Sequence, residues 1–165
     1  LIKDRAVGPT TAIVFQSRDA AITSAAGDPR ITGATLHVFN SAGGTDSACF
    51  HLAAANWRLS RNTYRYKDAE QSASPVKTAT LRDGLLQINA SSKGPMPITY
   101  RLGEPSQGSV GIVFESGDLV LCANFGGTVT KDSGTNPPNP GGKGQFAARN
   151  APPPGSCPTP PDTCP

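Results

Sequence analysis

Four cysteines carry the clearest chemistry in this sequence. Cys49, Cys122, Cys157 and Cys164 have no Cys-x-x-Cys spacing among them, and the chain contains only two histidines. Zinc sites need clustered thiolate and imidazole ligands, whereas well-separated cysteines in an exported protein form disulfides. Of the three possible pairings, we favour Cys122–Cys157 with Cys49–Cys164 over the rival Cys49–Cys122 with Cys157–Cys164. Either choice predicts an oxidising compartment and no free catalytic thiol.

The histidines and carboxylates give weaker indications of a site. His37 and His51 fall on the outer faces of two strands that are expected to pair, but no third ligand stands at a defined spacing from them. Glu104, Glu115 and Asp118 could gather at one end of a sandwich as an acid–base pair. Asp118, however, sits in a tight turn, where Asp is favoured for its hydrogen bonds to the backbone. The sequence therefore predicts no metal ligands, no cofactor and no catalytic residues, and we do not expect an enzyme.

Aromatic and basic residues near position 60 form the candidate ligand face. Trp57 is the only tryptophan, and its expected role is a core anchor whose indole N–H bonds to the backbone. The alternative is an exposed platform on which a sugar stacks. Tyr64 and Tyr66 alternate with Arg65, so a surface that holds a glycan or another surface ligand would use these three residues together with Trp57.

Composition limits the classes of function. The chain has 165 residues, 36% of them hydrophobic, and a net charge of +3 from 15 basic and 12 acidic residues. This balance argues against nucleic acid binding, which needs clustered Lys and Arg on one face. No run approaches the roughly 18 apolar residues of a membrane helix, so membrane insertion is not expected. The length suits one domain, since such a chain buries about two-thirds of its unfolded surface.

Glycine and proline indicate the fold class. With 18 Gly and 16 Pro, the sequence favours many turns and short strands over helices. Apolar alternation predicts strands over residues 33–40, 48–52, 64–68, 75–82, 85–90, 110–115 and 119–124. Asp83-Gly84 and Ser116-Gly117-Asp118 separate two pairs of these segments, which is typical of β-hairpins. We predict an all-β domain over residues 1–150, an antiparallel sandwich of about nine to eleven short strands.

The first strand is predicted over residues 11–16, which are β-branched and aromatic. Because this strand could lie at a sheet edge, Thr11, Ile13 and Phe15 are candidates for pairing with another copy of the chain. Residues 1–9, which are polar and mixed, indicate a leader into it.

Other segments are predicted to be connections. Gly27-Asp28-Pro29 is typical of a turn, and residues 53–56 are the only helix-friendly patch, too short to stand alone. Residues 132–144 are rich in Pro, Asn and Gly and indicate a linker before a last strand over residues 145–150.

The last fifteen residues have the composition of a surface tail. Residues 151–165 are rich in proline and contain two of the cysteines. Proline cannot donate to a central ladder, so this segment is expected to lie as extended polyproline-like chain. We expect disulfides to tether it to the domain surface, or contact with a neighbouring molecule to order it.

A series of short motifs carries a resemblance to known sequences. The motifs are Phe15-Gln16-Ser17-Arg18-Asp19, Gly33-Ala34-Thr35-Leu36, Asn56-Trp57, Tyr66-Lys67-Asp68, Glu104-Pro105-Ser106-Gln107-Gly108-Ser109-Val110, Cys122-Ala123-Asn124-Phe125-Gly126-Gly127, Asn150-Ala151-Pro152 and Cys157-Pro158. Over roughly residues 11–158 the series resembles a module of large uncharacterised secreted bacterial proteins. The resemblance implies a bacterial extracellular setting and a β-rich domain, and it transfers no catalytic residue. It also implies counterparts of Cys122 and Cys157, which favours their pairing, with Cys49 and Cys164 as an added couple.

Together these indications favour a structural function. We expect a non-catalytic building block of a secreted or surface-attached assembly, such as a fibre, in which the first strand or the tail contacts the next copy or a neighbouring domain. Glycan or surface-ligand binding is the alternative. Because the chain begins at Leu1 rather than Met, we expect a processed protein, or a segment of a longer one, located outside the cell or on its surface.

Overall fold

The computed structural model describes residues 1–5, 11–135, 142–161 and Cys164. Within these ranges, the strands in chain order are β1 (Ile2–Arg5), β2 (Ala12–Ser17), β3 (Ala34–Asn40), β4 (Ser47–Leu52), β5 (Trp57–Ser60), β6 (Thr63–Lys67), β7 (Val76–Arg82), β8 (Leu85–Ser91), β9 (Val110–Ser116), β10 (Leu119–Phe125), β11 (Thr128–Ser133) and β12 (Lys143–Arg149). The helical segments are α1 (Pro29–Thr32) and a 3-10 turn (Ala54–Asn56). No helix in the described ranges is long and apolar enough to cross a membrane.

The strands form two antiparallel sheets, which confirms the predicted all-β sandwich. The larger sheet has eight strands in the order β11-β12-β1-β2-β8-β7-β6-β5, and the smaller has four in the order β10-β9-β3-β4. Twelve strands exceed the expected nine to eleven. Among the described strands, β1, β5 and β11 were not predicted. β1 and β5 are only four residues long, too short for alternation to be recognised in the sequence, and Val129 is the only apolar residue of β11.

One core lies between the sheets, and aromatic rings join the sheets at two places. Trp57 of β5 meets Phe114 of β9 with ring centroids 6.3 Å apart. Phe15 of β2 meets Phe125 of β10 at 5.7 Å. Edge-to-face pairs at such distances contribute about 0.5–1.5 kcal/mol beyond the area they bury. These contacts fix which face of the smaller sheet points inward.

The two predicted hairpins are confirmed. Gly84 connects β7 to β8 with φ 73°, and Gly117 connects β9 to β10 with φ 57°. Glycine adopts this left-handed conformation without the clash of a Cβ atom. The Asp-Gly and Ser-Gly-Asp signals therefore placed both turns correctly.

Three predicted connections contain regular structure instead. Residues 2–5 of the expected leader form β1, since Ile2 is buried and the buried Asp4 pairs with Arg101 over 3.1 Å; residues 6–10 lie outside the described ranges. The expected turn at Asp28 begins α1, because the Asp28 carboxylate accepts a hydrogen bond from the N–H of Arg30. The expected linker contributes residues to both β11 and β12, and its residues 136–141 lie outside the described ranges.

Candidate functional site

Two disulfides tie the C-terminal tail to the smaller sheet. Cys122 of β10 bonds Cys157, with Cα atoms 5.5 Å apart, and Cys49 of β4 bonds Cys164, with Cα atoms 5.3 Å apart. Both spans lie in the usual range for a disulfide. The favoured pairing is therefore confirmed, and none of the four cysteines is free.

The two bridges lie at the ends of a single row of residues that crosses the smaller sheet. Cys49 is the cross-strand partner of His37, His37 is the partner of Val113, and Val113 is the partner of Cys122. Paired residues in a sheet point to the same face. All four side chains of this row therefore project from one face, the one opposite the core.

Residues 157–164, which we call the strap, are long enough to cross the smaller sheet. β10 and β4 are its edge strands, so Cys122 and Cys49 are three strand spacings apart, or roughly 14 Å at about 4.8 Å each. A proline-rich segment of this length has a reach of up to about 22 Å, at about 3.1 Å per residue when extended. The bridges therefore anchor the strap at opposite edges of one sheet.

The outer face of the smaller sheet carries a buried strip. His37, Phe39 and Val113 point away from the core, yet they are 7%, 4% and 2% exposed. Outward side chains of an antiparallel sandwich are ordinarily solvated. Cys164 Sγ lies 3.8 Å from His37 Nε2, which places that end of the strap against the strip. We call His37, Phe39 and Val113 the covered strip.

A polar cluster lies at the Cys49 end of the strap. His37 Nε2 lies 3.7 Å from Cys49 Sγ and 3.8 Å from Cys164 Sγ. The same nitrogen lies 3.9 Å from Glu115 Oε2, and Thr35 Oγ1 donates to that oxygen over 3.4 Å. We call His37, Cys49, Cys164 and Glu115 the His37 cluster. It combines an imidazole, two sulphur atoms and a carboxylate, the donor types that bind transition metals.

A second polar cluster holds the loop over residues 103–108. Gln107, which is 1% exposed, donates from Nε2 to Asp46 Oδ2 over 2.8 Å and to Glu104 Oε2 over 2.9 Å. Its Oε1 accepts a hydrogen bond from the Tyr100 hydroxyl over 2.7 Å. The N–H of Gly103 donates to Asp46 Oδ2 over 2.7 Å. The side chains thus bind one another and the loop backbone.

The pKa values of this cluster move in opposite directions. Its hydrogen bond with Asp46 lowers the pKa of Glu104 to about 2. Burial, with a further contribution from Glu104, raises the pKa of Asp46. Burial, reinforced by nearby carboxylates, also raises the pKa of Tyr100. A close carboxyl pair avoids carrying two charges, so Asp46 is the member that retains a proton as the pH rises.

Carboxylates elsewhere in the protein bind the backbone N–H groups of loops. The pairs are Asp4 with Leu102, Asp68 with Ser72, Ala73 and Ser74, Asp132 with Gln107 and Gly108, and Asp83 with Ser24. Hydrogen bonds to a charged group contribute about 1.5–3 kcal/mol when they are buried. These carboxylates therefore serve to hold loops against the sandwich.

The expected role of Trp57 as a core anchor is confirmed, and the alternative ligand face is wrong for Trp57 and Tyr66. Trp57 and Tyr66 are each 1% exposed, their rings lie 5.4 Å apart in the core, and Trp57 Nε1 donates to the Leu52 carbonyl over 3.4 Å. Tyr64 packs against the same core while Arg65 is exposed on the other face. The alternation that joined these residues in the sequence turns the tyrosines inward, because Trp57 and Tyr66 are cross-strand partners.

The predicted inter-subunit strand is also wrong. β2 lies inside the larger sheet, between β1 and β8, and Thr11, Ile13 and Phe15 are 3%, 1% and 5% exposed. A strand with neighbours on both sides offers no free edge over the paired residues. The error follows from β1, which the sequence indicated only as a leader.

The carboxylates and histidines that the sequence singled out do not converge. Glu104 belongs to the loop cluster and Glu115 to the His37 cluster, while Asp118 is exposed in the β9–β10 turn. The cross-strand partner of His51 is Thr35, and that of His37 is Cys49. The His37 cluster was missed because Cys164 is 127 residues away from His37. The pairing of β3 with β4 was the one available signal, since it sets His37 opposite Cys49.

An apolar cavity of about 320 Å³ opens between the sheets beside β2. Its lining includes Phe15, Val110, Phe125 and Ala148, with Arg149 as the ionisable side chain. A space lined in this way favours apolar contact over acid–base chemistry.

Fold and bridges together define a class of protein, the antiparallel β-sandwich with a disulfide-anchored tail. No protein-family model, curated protein or solved structure matches the chain.

Proposed function

We propose that this protein is a non-catalytic structural module of a secreted or cell-surface assembly. The observation that carries the proposal is the strap, which two disulfides anchor at opposite edges of the smaller sheet. Each bridge stabilises such a domain by about 2–4 kcal/mol, chiefly by restricting the unfolded chain. An extracellular structural module benefits from this directly, because disulfides persist in oxidising surroundings.

The use of the carboxylates supports a structural role. Asp4, Asp68 and Asp132 accept hydrogen bonds from loop backbone N–H groups, and Asp46 and Glu104 bind Gln107 between them. A general acid or base must direct a lone pair or proton towards a substrate. Here the buried carboxylates instead fix loops, as expected of a rigid building block.

Contacts with neighbours in the assembly must use surfaces other than β2 and the strap. β2 is paired inside the larger sheet, and the strap is bonded to its own domain. Among the described strands, the open edges of the larger sheet are β5 and β11. β5 is short and carries Arg58, and β11 is irregular between Val129 and Lys131. Such features discourage edge-to-edge pairing, so we favour contacts through side chains with other domains of the assembly.

The glycan-binding alternative required an exposed Trp57, and Trp57 is enclosed in the core. The structural proposal therefore stands as the single candidate function.

The test is to measure the oxidised protein in solution by light scattering, electron microscopy and limited proteolysis. We expect a species that resists proteolysis, that becomes sensitive when the disulfides are reduced, and that hydrolyses none of a broad panel of ester, glycoside and peptide substrates. Turnover of any of these substrates would refute the non-catalytic proposal. Fibres in the micrographs would show that the assembly consists of this chain alone.

A further inference from the structure

We propose that reductive opening of the Cys49–Cys164 bridge converts the His37 cluster into a binding site for a thiophilic divalent cation, with Zn²⁺ as the expected metal. The ligands are the two thiolates and His37 Nε2, whose donor atoms lie within 4.8 Å of one another. This inference concerns a property separate from the structural role, and neither depends on the other.

The distances around His37 match a tetrahedral zinc site. With Zn–S bonds of about 2.3 Å and Zn–N bonds of about 2.0–2.1 Å, the donor atoms of a tetrahedral site lie about 3.5–3.8 Å apart. His37 Nε2 lies 3.7 Å from Cys49 Sγ and 3.8 Å from Cys164 Sγ. The distance from each Sγ atom to the imidazole nitrogen is therefore already the distance between two ligands of one zinc ion. After reduction, only the separation between the two sulphur atoms must increase.

The sheet holds the imidazole in position. His37 is 7% exposed and lies in β3 between β4 and β9, opposite Cys49 on one side and Val113 on the other. Two of the ligands therefore come from adjacent paired strands, whose backbones are fixed by the ladder. His37, Cys49 and Cys164 thus place three ligand atoms within 4.8 Å of one another, and a zinc site with three protein ligands keeps its fourth position for water.

The chemistry balances in two steps. A dithiol reductant transfers two electrons and two protons to the bridge, which breaks the Cys49–Cys164 bond, yields two thiols and leaves the reductant as its own disulfide. Zn²⁺ then displaces one proton from each thiol as two Zn–S bonds form. The reductant can reach the bridge, because both Cys49 and Cys164 are partly exposed.

The other bridge lacks this arrangement. Cys122 faces Val113 across the β9–β10 pair, so its sheet neighbour in the row is an apolar side chain where Cys49 has His37. The metal site therefore belongs to one end of the strap only.

The test compares variants that retain one pair of cysteines. The chain with Cys122→Ala and Cys157→Ala is reduced by a water-soluble phosphine without oxygen and titrated with Co²⁺, whose absorption reports tetrahedral thiolate ligation. We expect one Co²⁺ per chain, displaced by one Zn²⁺. Adding His37→Ala should weaken Co²⁺ binding by at least about tenfold, because losing even an outer partner of a ligand costs about 10- to 100-fold. Adding His51→Ala is the matched control and should leave binding unchanged.

Three results would overturn the proposal. The first is failure of the folded, reduced variant to bind Co²⁺, and the second is unchanged binding after His37→Ala. The third is equal affinity in the variant with Cys49→Ala and Cys164→Ala, which would indicate general thiol binding. If circular dichroism shows that the first variant is unfolded, the titration is made on the wild-type chain reduced stepwise. Mass mapping then confirms that Cys122–Cys157 is intact, and the same outcomes decide.

Discussion

The two faces of the smaller sheet are buried by different means. On the inner face, Phe114 is enclosed because the larger sheet packs against it. On the outer face, the next residue along the same strand, Val113, is 2% exposed, in the row whose two ends are the disulfide-bonded Cys49 and Cys122. Inner burial results from ordinary apolar packing between layers. We expect outer burial to depend on the two disulfides at the ends of the row, so adjacent residues of β9 should respond differently to the same treatment.

The largest effect is expected on the inner face. Phe114→Ala removes a fully buried ring that contacts Trp57, and we expect a loss of about 3–5 kcal/mol in the free energy of unfolding. Denaturant titration measures this loss. Val120→Ala, on the outer face and 48% exposed, is the control and should stay within about 0.5 kcal/mol. A loss below about 1 kcal/mol for Phe114→Ala would show that the sheets do not share one core.

Releasing one end of the strap is expected to have the next largest effect. Replacing Cys122 and Cys157 together by Ala should lower the free energy of unfolding by about 2–4 kcal/mol, since it removes a cross-link spanning 35 residues. Hydrogen exchange should rise at Val113 of the covered strip and remain slow at Phe114. If exchange rises equally at both residues, the two faces are not independent and the comparison fails.

A smaller effect is expected for Val113→Ala, whose cost in the free energy of unfolding should depend on whether the strap is anchored. In the oxidised protein, Val113→Ala should cost about 1–2 kcal/mol, because it removes two buried methyl groups. In a chain that has all four cysteines replaced by Ala, the same substitution should cost less than about 0.5 kcal/mol, since Val113 is then open to solvent. A double-mutant cycle from chemical denaturation measures the difference. Equal costs in both backgrounds would mean that the strap does not cover Val113.

The smallest effect concerns pH and lies outside both faces. The raised pKa of Asp46 means that its contribution to stability is complete below the ordinary Asp value and is lost as the pH rises through the raised pKa. Glu104, with a pKa lowered to about 2, behaves oppositely: its contribution is complete above the ordinary Glu value and is lost as the pH falls towards about 2. Asp46→Asn should therefore reduce the loss of stability, and with it the fall in Tm, as the pH rises through the raised pKa of Asp46. The difference in the free energy of unfolding should be no more than about 1 kcal/mol because Asp46 is partly exposed.

Thermal scans at several pH values measure that slope, with Asp118→Asn in an exposed turn as the control. Parallel Tm curves for wild type and Asp46→Asn would show that Asp46 does not hold the proton.

Local sequence signals predicted most strands and both glycine hairpins. They predicted poorly which other segments pair with each strand or pack on each of its faces. Tyr64, Tyr66 and Arg65 alternate correctly, yet the sequence did not say that the tyrosine face is the inner one. Ile13 and Phe15 were correctly assigned to a strand, but β1 covers the edge on which an inter-copy contact was predicted. Alternation specifies two faces of a strand, and it does not specify what packs on each face.

The candidate site shows the same division. The cysteine content predicted two bridges, and the pairing we favoured is the one that forms. The row from Cys49 through His37 and Val113 to Cys122 requires the register of three strand pairs. Register depends on contacts across the whole sheet, so the His37 cluster could not be assembled from spacing along the chain.

By itself, the sequence determined that this protein is an antiparallel all-β domain with a proline-rich tail and disulfide bonds. Glycine, proline and short apolar alternation act locally, and local effects can be interpreted from neighbouring residues. Only the tertiary structure decided that β1 lies inside the larger sheet, that Trp57 is enclosed, and that Cys164 lies against His37. These outcomes depend on which distant segments meet, because a side chain is buried only when the apolar surfaces of other segments pack against it.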